Sequence, residues 1–184
     1  EKYDDLGVLW IDAHPDISNP EIYENEHAMV LANLLGAGDP KLSGLVRKTL
    51  KPSQVRYEGM QGGVDVEQAE LDRLGVSYAA AKENELDAEG AISWIRENGI
   101  KHIALHLDCD VMDPHDFYAT YFNNPALGPI PYNAATGHMK RASVWDFIEK
   151  ISKETDLVGL TIAEYMPWSA MQMRELMKRT KIFG

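Results

Sequence analysis

Two apolar runs, each ending in a comb of metal-capable side chains, constrain this chain more than any other feature. The first, Gly7-Val8-Leu9-Trp10-Ile11, reads as a buried strand and leads directly into Asp12-Ala13-His14-Pro15-Asp16. Extended backbone puts alternate side chains on one side, so Asp12, His14 and Asp16 can converge on one point. The second run, Ile103-Ala104-Leu105-His106-Leu107, ends in Asp108-Cys109-Asp110, where Asp108 and Asp110 share a side and Cys109 points away. Carboxylates at the ends of apolar strands are costly unless paired or bound to a cation. In a parallel sheet both combs would lie just past the carboxyl edge, where open α/β sheets place their ligands. Side by side they predict an acidic pocket fit for two divalent cations. Carboxylates with one imidazole suit Mn2+ better than the thiolate-rich structural sites of zinc.

The remaining chain alternates strands and helices, the pattern of a three-layer α/β/α fold with a mainly parallel sheet. Helices are predicted from His27 to Leu35, Asp39 to Leu50, Val66 to Leu74, Asp87 to Asn98, Ser143 to Thr155 and Ala170 to Lys178. Further strands are predicted over Gln54 to Gly59, Val76 to Ala80, His102 to Asp108 (the second of the two runs above) and Asp156 to Ala163, the last ending at Glu164. Asp87 is a candidate helix cap, with Ile92 and Ile95 on the inner face behind it. The segment from Asp113 to Gly137 reads as a long loop, a feature usually tied to function. A formal net charge of −11 argues against a nucleic-acid surface, which needs a basic patch. A single cysteine excludes an internal disulfide and fits a reducing, cytoplasmic compartment. No apolar run approaches a membrane span.

These motifs resemble those of the arginase, or ureohydrolase, family of binuclear manganese hydrolases. Asp12-Ala13-His14-Pro15-Asp16 is similar to that family's Asp-Ala-His-x-Asp motif, and Asp108-Cys109-Asp110-Val111-Met112-Asp113-Pro114 to its Asp-x-Asp-x-x-Asp-Pro motif. The stretch from Gly159 to Pro167, with Glu164 inside, resembles its third, Glu-containing strand end. The resemblance implies that Asp12 and Asp108 each bridge two Mn2+ ions, that Asp16 binds the first ion, and that His14 and Asp110 bind the second. It also implies a small guanidino substrate, most simply L-arginine, cleaved to ornithine and urea by a water activated between the ions. Glu164 would hold the guanidinium and His27 would move protons. Ser18, Asn19 and Asn25 fall in the segment that binds the amino-acid carboxylate in arginases, and Asp65 is a candidate for the substrate amino group. Here Gln61-Gly62-Gly63 replaces the family's usual Arg-Asp pattern beside Asp65.

The family carries a further Gly-Gly-Asp-His motif upstream, whose histidine completes the first metal site, and this motif does not occur in residues 1–184. The expectation is one ureohydrolase-type domain over 1–184, incomplete at its N-terminus and lacking N-terminal strands, in a homo-oligomer with no nucleic-acid or membrane partner. Agmatine or another guanidino or formimino compound is the alternative substrate. An inactive metal-binding member serving as a partner subunit is the alternative from another class. His106 reads as packing beside the site rather than as a ligand, and Cys109 as a buried apolar residue. His115 and His138 read as solvated loop residues, and Trp168 as a candidate pocket wall.

Overall fold

The computed structural model describes residues 2–61, 65–80, 84–126 and 136–180. Five strands form one all-parallel sheet: β1 (Leu6–Ile11), β2 (Val55–Met60), β3 (Ser77–Ala80), β4 (His102–Asp108) and β5 (Asp156–Ala163), in the order β3-β2-β1-β4-β5. The helices are α1 (Val30–Leu35), entered through a 3-10 turn at Glu26–Met29, α2 (Pro40–Ser43), α3 (Asp65–Leu74), α4 (Ala88–Glu97), α5 (Arg141–Glu154) and α6 (Ala170–Arg179).

Both faces of the sheet are apolar, and each has its own core. Leu9, Ile11, Ile103, Leu105 and Leu107 pack with Trp94 and Ile95 of α4, Val144, Phe147 and Ile151 of α5 and Leu176 of α6. Val8, Trp10, Val55 and Tyr57 pack on the other face with Leu31 of α1 and Leu71 of α3. Fully burying one such large side chain contributes about 1.5–3 kcal/mol. Asp87 caps α4 by accepting from the Gly90 N–H at 3.0 Å.

The chain builds outward from β1 to β2 and β3, then crosses to β4 on the other side of β1. The direction of winding therefore reverses between β1 and β4. A crevice opens beyond the carboxyl ends of two strands at such a point, and the strand pair there is the one bearing the two acidic combs. Register aligns them: Trp10 pairs with His106 and Ile11 with Leu107, so the next residues, Asp12 and Asp108, emerge together.

One expected element is much shorter. The helix predicted from Asp39 to Leu50 is confined to α2, Pro40–Ser43. Asp39 starts it by accepting from the Lys41 and Leu42 N–H groups, and Gly44 ends it. Leu42 and Leu45 are both exposed, so no buried face extends it. Of the 113–137 loop, residues 127–135 lie outside the described residues, as do Gly62 and Gly63.

Candidate metal centre

After Ile11 the chain stays tied to the sheet for two more residues. The Asp12 N–H donates to the Glu58 carbonyl at 3.2 Å and the Gln61 N–H to the Ala13 carbonyl at 3.2 Å. Alternation then sends Ala13 into the interior, fully buried, and Asp12 to the other side, only 1 % exposed. The Asp12 carboxylate accepts from the Trp10 indole N–H at 3.3 Å and from the His14 backbone N–H at 2.8 Å. His14 Nδ1 stands 3.0 Å from Asp110 Oδ2 and 3.7 Å from Asp12 Oδ1.

Two residue groups place ligand atoms within 4.8 Å of one another: Asp12, His14 and Asp110 in one, Asp12, Asp16 and His106 in the other. Asp12 belongs to both. Asp108 lines the same cavity outside either triad, its carboxylate accepting from the Asp110 N–H at 3.0 Å. Three buried polar atoms here have no hydrogen-bond partner: His14 Nε2, Asp110 Oδ1 and His106 Nε2. Buried polar atoms are normally satisfied, and this donor set of carboxylates and imidazoles is what a hard or borderline divalent ion would satisfy. The residues present therefore fit a metal centre.

The electrostatics point the same way. Burial, then the neighbouring Asp12 charge, pushes Asp16 up to about 9 and Asp108 up to about 10. Burial also raises Asp12, to about 6, against the opposing hydrogen bond from His14. Hydrogen bonds to Asp110 and Asp12 raise His14 to about 11, so without metal its ring is the protonated counter-ion of the cluster. Burial lowers His106 to about 4 and leaves that ring neutral.

Backbone conformation marks two of these residues. Asp16, at φ 50°, and Glu164, at φ 51°, are non-glycine residues in the left-handed region. Each costs on the order of 1–3 kcal/mol there, a strain that recurs at functional sites. Gly59 (φ 88°) lies beside the Asp12 backbone: a Cβ on it would stand 2.8 Å from Val111 and 3.4 Å from the Asp12 carbonyl, so only glycine lets β2 pass this close.

The cavity beyond the strand ends measures about 620 Å³. Asp12, His14, Asp16, Asp108, Asp110, His27, Glu164 and Ser18 all line it. Ser18 is 1 % exposed and its hydroxyl donates to Glu67. His27 is exposed at the rim, edge-on to Tyr23. Asn19, Asn25 and Asp65 are not among the lining residues: Asn19 accepts from the Glu21 N–H, Asn25 donates to the Tyr23 hydroxyl, and Asp65 is exposed at the start of α3. Trp168 instead donates to the Thr120 carbonyl at 3.0 Å. Sequence reasoning passed over Glu67, two residues after Asp65 and half-buried on a different face of α3, and left His106 as packing. Glu67 lacks any sequence signal, because its contact with Ser18 spans 49 residues. His106 did have one: it shares its side of β4 with Asp108.

A doubly wound α/β sheet with a carboxylate–imidazole centre at its switch point defines a class of metal-dependent proteins. The family model described as the arginase family matches residues 1–175, and the chain belongs to that family. The curated arginase of Entamoeba histolytica is 28% identical over 168 residues, 88% of this chain and 53% of that protein. The curated arginase of Eremothecium gossypii is 29% identical over 182 residues, 91% of this chain and 42% of that protein. The chain thus spans about half the length of the curated relatives it matches. The native structure of Bacillus caldovelox arginase superposes with a TM-score of 0.80 at 24% identity, covering 99% of this chain and 61% of the other, and shares its fold.

Proposed function

We propose that the protein is a binuclear manganese hydrolase that cleaves the C–N bond of a guanidino substrate, with L-arginine giving ornithine and urea. The observation that carries this reading is the sharing of Asp12 between two ion-sized triads that open on one cavity with Glu164. Bound ions would supply a water ionised near neutral pH and stabilise the charge that develops on attack. Asp12, His14 and Asp110 would hold one ion, Asp12 and Asp16 would contribute to the other, and Asp108, lining the same cavity, would add a further carboxylate. Glu164 would accept hydrogen bonds from the guanidinium and orient its carbon. His27, exposed at the rim, would carry a proton toward the departing amine. Water adds to the guanidinium carbon, the bond to the amine nitrogen breaks, and that nitrogen leaves protonated. Ser18 would contact the amino-acid end of the substrate, with Glu67 behind it.

One observation favours a second substrate. No lysine or arginine is among the described residues that line the cavity, whereas Glu67 and Glu164 are. A guanidino amine without a carboxylate, such as agmatine, suits that lining. Urea release from L-arginine and from agmatine by the full-length, Mn2+-loaded protein separates the two. Glu164→Gln should cut turnover at least about a hundredfold at unchanged metal content, the scale on which one electrostatic contact to the reacting group counts. If the metal-loaded full-length protein releases no urea from any guanidino compound, the hydrolase reading is wrong.

A further inference from the structure

We infer that His106 is itself a metal ligand, binding through Nε2 the ion held by Asp12 and Asp16. This rests on the reading of the cavity as a metal centre and adds a ligand that the motif resemblance does not assign. A ring nitrogen of His106 stands within 4.8 Å of carboxylate oxygens of Asp12 and Asp16, which are themselves that close. The two ring nitrogens are differently engaged. Nδ1 lies 2.7 Å from the Thr161 hydroxyl on β5, whereas Nε2 is buried and has no partner. With Nδ1–H donating to Thr161, Nε2 carries the lone pair. Metal-binding histidines are held in this way, their second nitrogen donating to an oxygen that fixes the tautomer.

The ring is also fixed in direction. It stacks on Trp10 with centroids 3.8 Å apart and planes 18° apart. The same indole donates from Nε1 to Asp12 Oδ2 at 3.3 Å. Trp10 therefore orients both a carboxylate and the imidazole that face one ion, and the pairing of Trp10 with His106 in the sheet register keeps them adjacent. Mere packing would need the flat ring and no nitrogen at Nε2. The resemblance assigns the histidine of this ion to an upstream motif, whereas His106 brings an imidazole to it from within the sheet.

The full-length protein is titrated with Mn2+ calorimetrically, and imidazole coordination is read from nitrogen modulation of the Mn2+ electron spin echo. His106→Phe keeps the stack on Trp10 and removes the nitrogen. It should weaken one of two ions at least about a hundredfold, leave the other unchanged and reduce the nitrogen modulation. Thr161→Val should weaken the same ion by about tenfold, the scale of a lost outer partner. His14→Ala should remove the complementary ion. Two ions bound by His106→Phe with wild-type affinities and modulation would overturn the inference while the metal reading stood. Wild-type protein that binds no Mn2+ would remove the metal reading itself. Should His106→Phe fail to fold, Thr161→Val and the wild-type modulation decide: a Thr161→Val titration matching wild type overturns the inference.

Discussion

The sheet buries carboxylates on both faces, a few residues apart, and the two groups behave differently. On the α4 face, Glu58 is 0% exposed. It accepts from Arg56 Nε at 2.6 Å and from the Asp87 N–H at 3.1 Å, and Arg56 reaches on to Asp87 at 3.0 Å. On the α1 face, Asp12, Asp16, Asp108 and Asp110 surround a single imidazolium, His14, with unpaired atoms among them. Burial drives both sets upward. Glu58 stops at about 7 because Arg56 opposes the shift, whereas Asp16 and Asp108 reach about 9 and 10. One cluster is complete as a structural ion pair. The other sets four carboxyl groups around one imidazolium, and that imbalance among the protein's own groups is what distinguishes a ligand site from a structural one.

The largest test of that contrast is Asp12→Ala. Because Asp12 is common to both triads, its loss should abolish the rise in melting temperature that Mn2+ gives by binding only the folded state. A wild-type shift in this variant, read by thermal melts with and without Mn2+, would separate the ions from these residues. Arg56→Met is the matching lesion on the other face. It leaves Glu58 buried without its cation and should cost about 3–5 kcal/mol of stability, while Mn2+ affinity per folded molecule stays as in wild type.

A pH series sharpens the comparison further. Asp16 and Asp108 have folded values raised far above the usual carboxylate value of 3.8, and His14 is raised from 6.5 to about 11. Between the unfolded and folded values the native state binds more protons than the unfolded one, so stability falls as pH rises. The metal-free protein should therefore melt at steadily lower temperature from about pH 5 to about pH 9. Mn2+ should reverse that slope, because it binds the deprotonated ligands and its affinity climbs with pH. A metal-free melting temperature that rises over this range would contradict the assignment of the cluster.

How much of this was legible in the sequence follows from the range of each interaction. β4 and β5 have the predicted bounds, because apolar runs stopped by acids or turns are local signals. The spacing of Asp12, His14 and Asp16 suggested one cavity, which all three line, but β1 ends at Ile11 and Asp16 sits at φ 50°, so a turn rather than a period of two brings Asp16 round. The strand order was not legible, since parallel pairing of β1 with β4 joins residues almost a hundred positions apart. Nor was the depth of His106, which depends on its register with Trp10 and on Thr161, 55 residues away. Asn19 and Asn25 show the converse limit. Their types suit ligand binding, but neither lines the cavity, and short-range bonds to Glu21 and Tyr23 engage one end of each amide.

The smallest effect is expected where both partners of the structural pair are replaced together, as in Arg56→Met with Glu58→Leu. No charge is then left buried, and apolar replacement of a whole buried pair is often neutral or stabilising. What remains is the Asp87 end of the network. Its N–H loses the Glu58 acceptor and its carboxylate loses Arg56. The Asp87 side chain is 52% exposed, so water can replace Arg56 there. The double variant should lie within about 1–2 kcal/mol of wild type, with an unchanged denaturant slope in urea titrations. It should recover most of what Arg56→Met alone loses, because the deficit of the single variant is the stranded Glu58 charge. A double variant as unstable as Arg56→Met would instead put the cost in the lost packing of the arginine stem, and Glu58 would no longer serve as the satisfied counterpart of the metal centre.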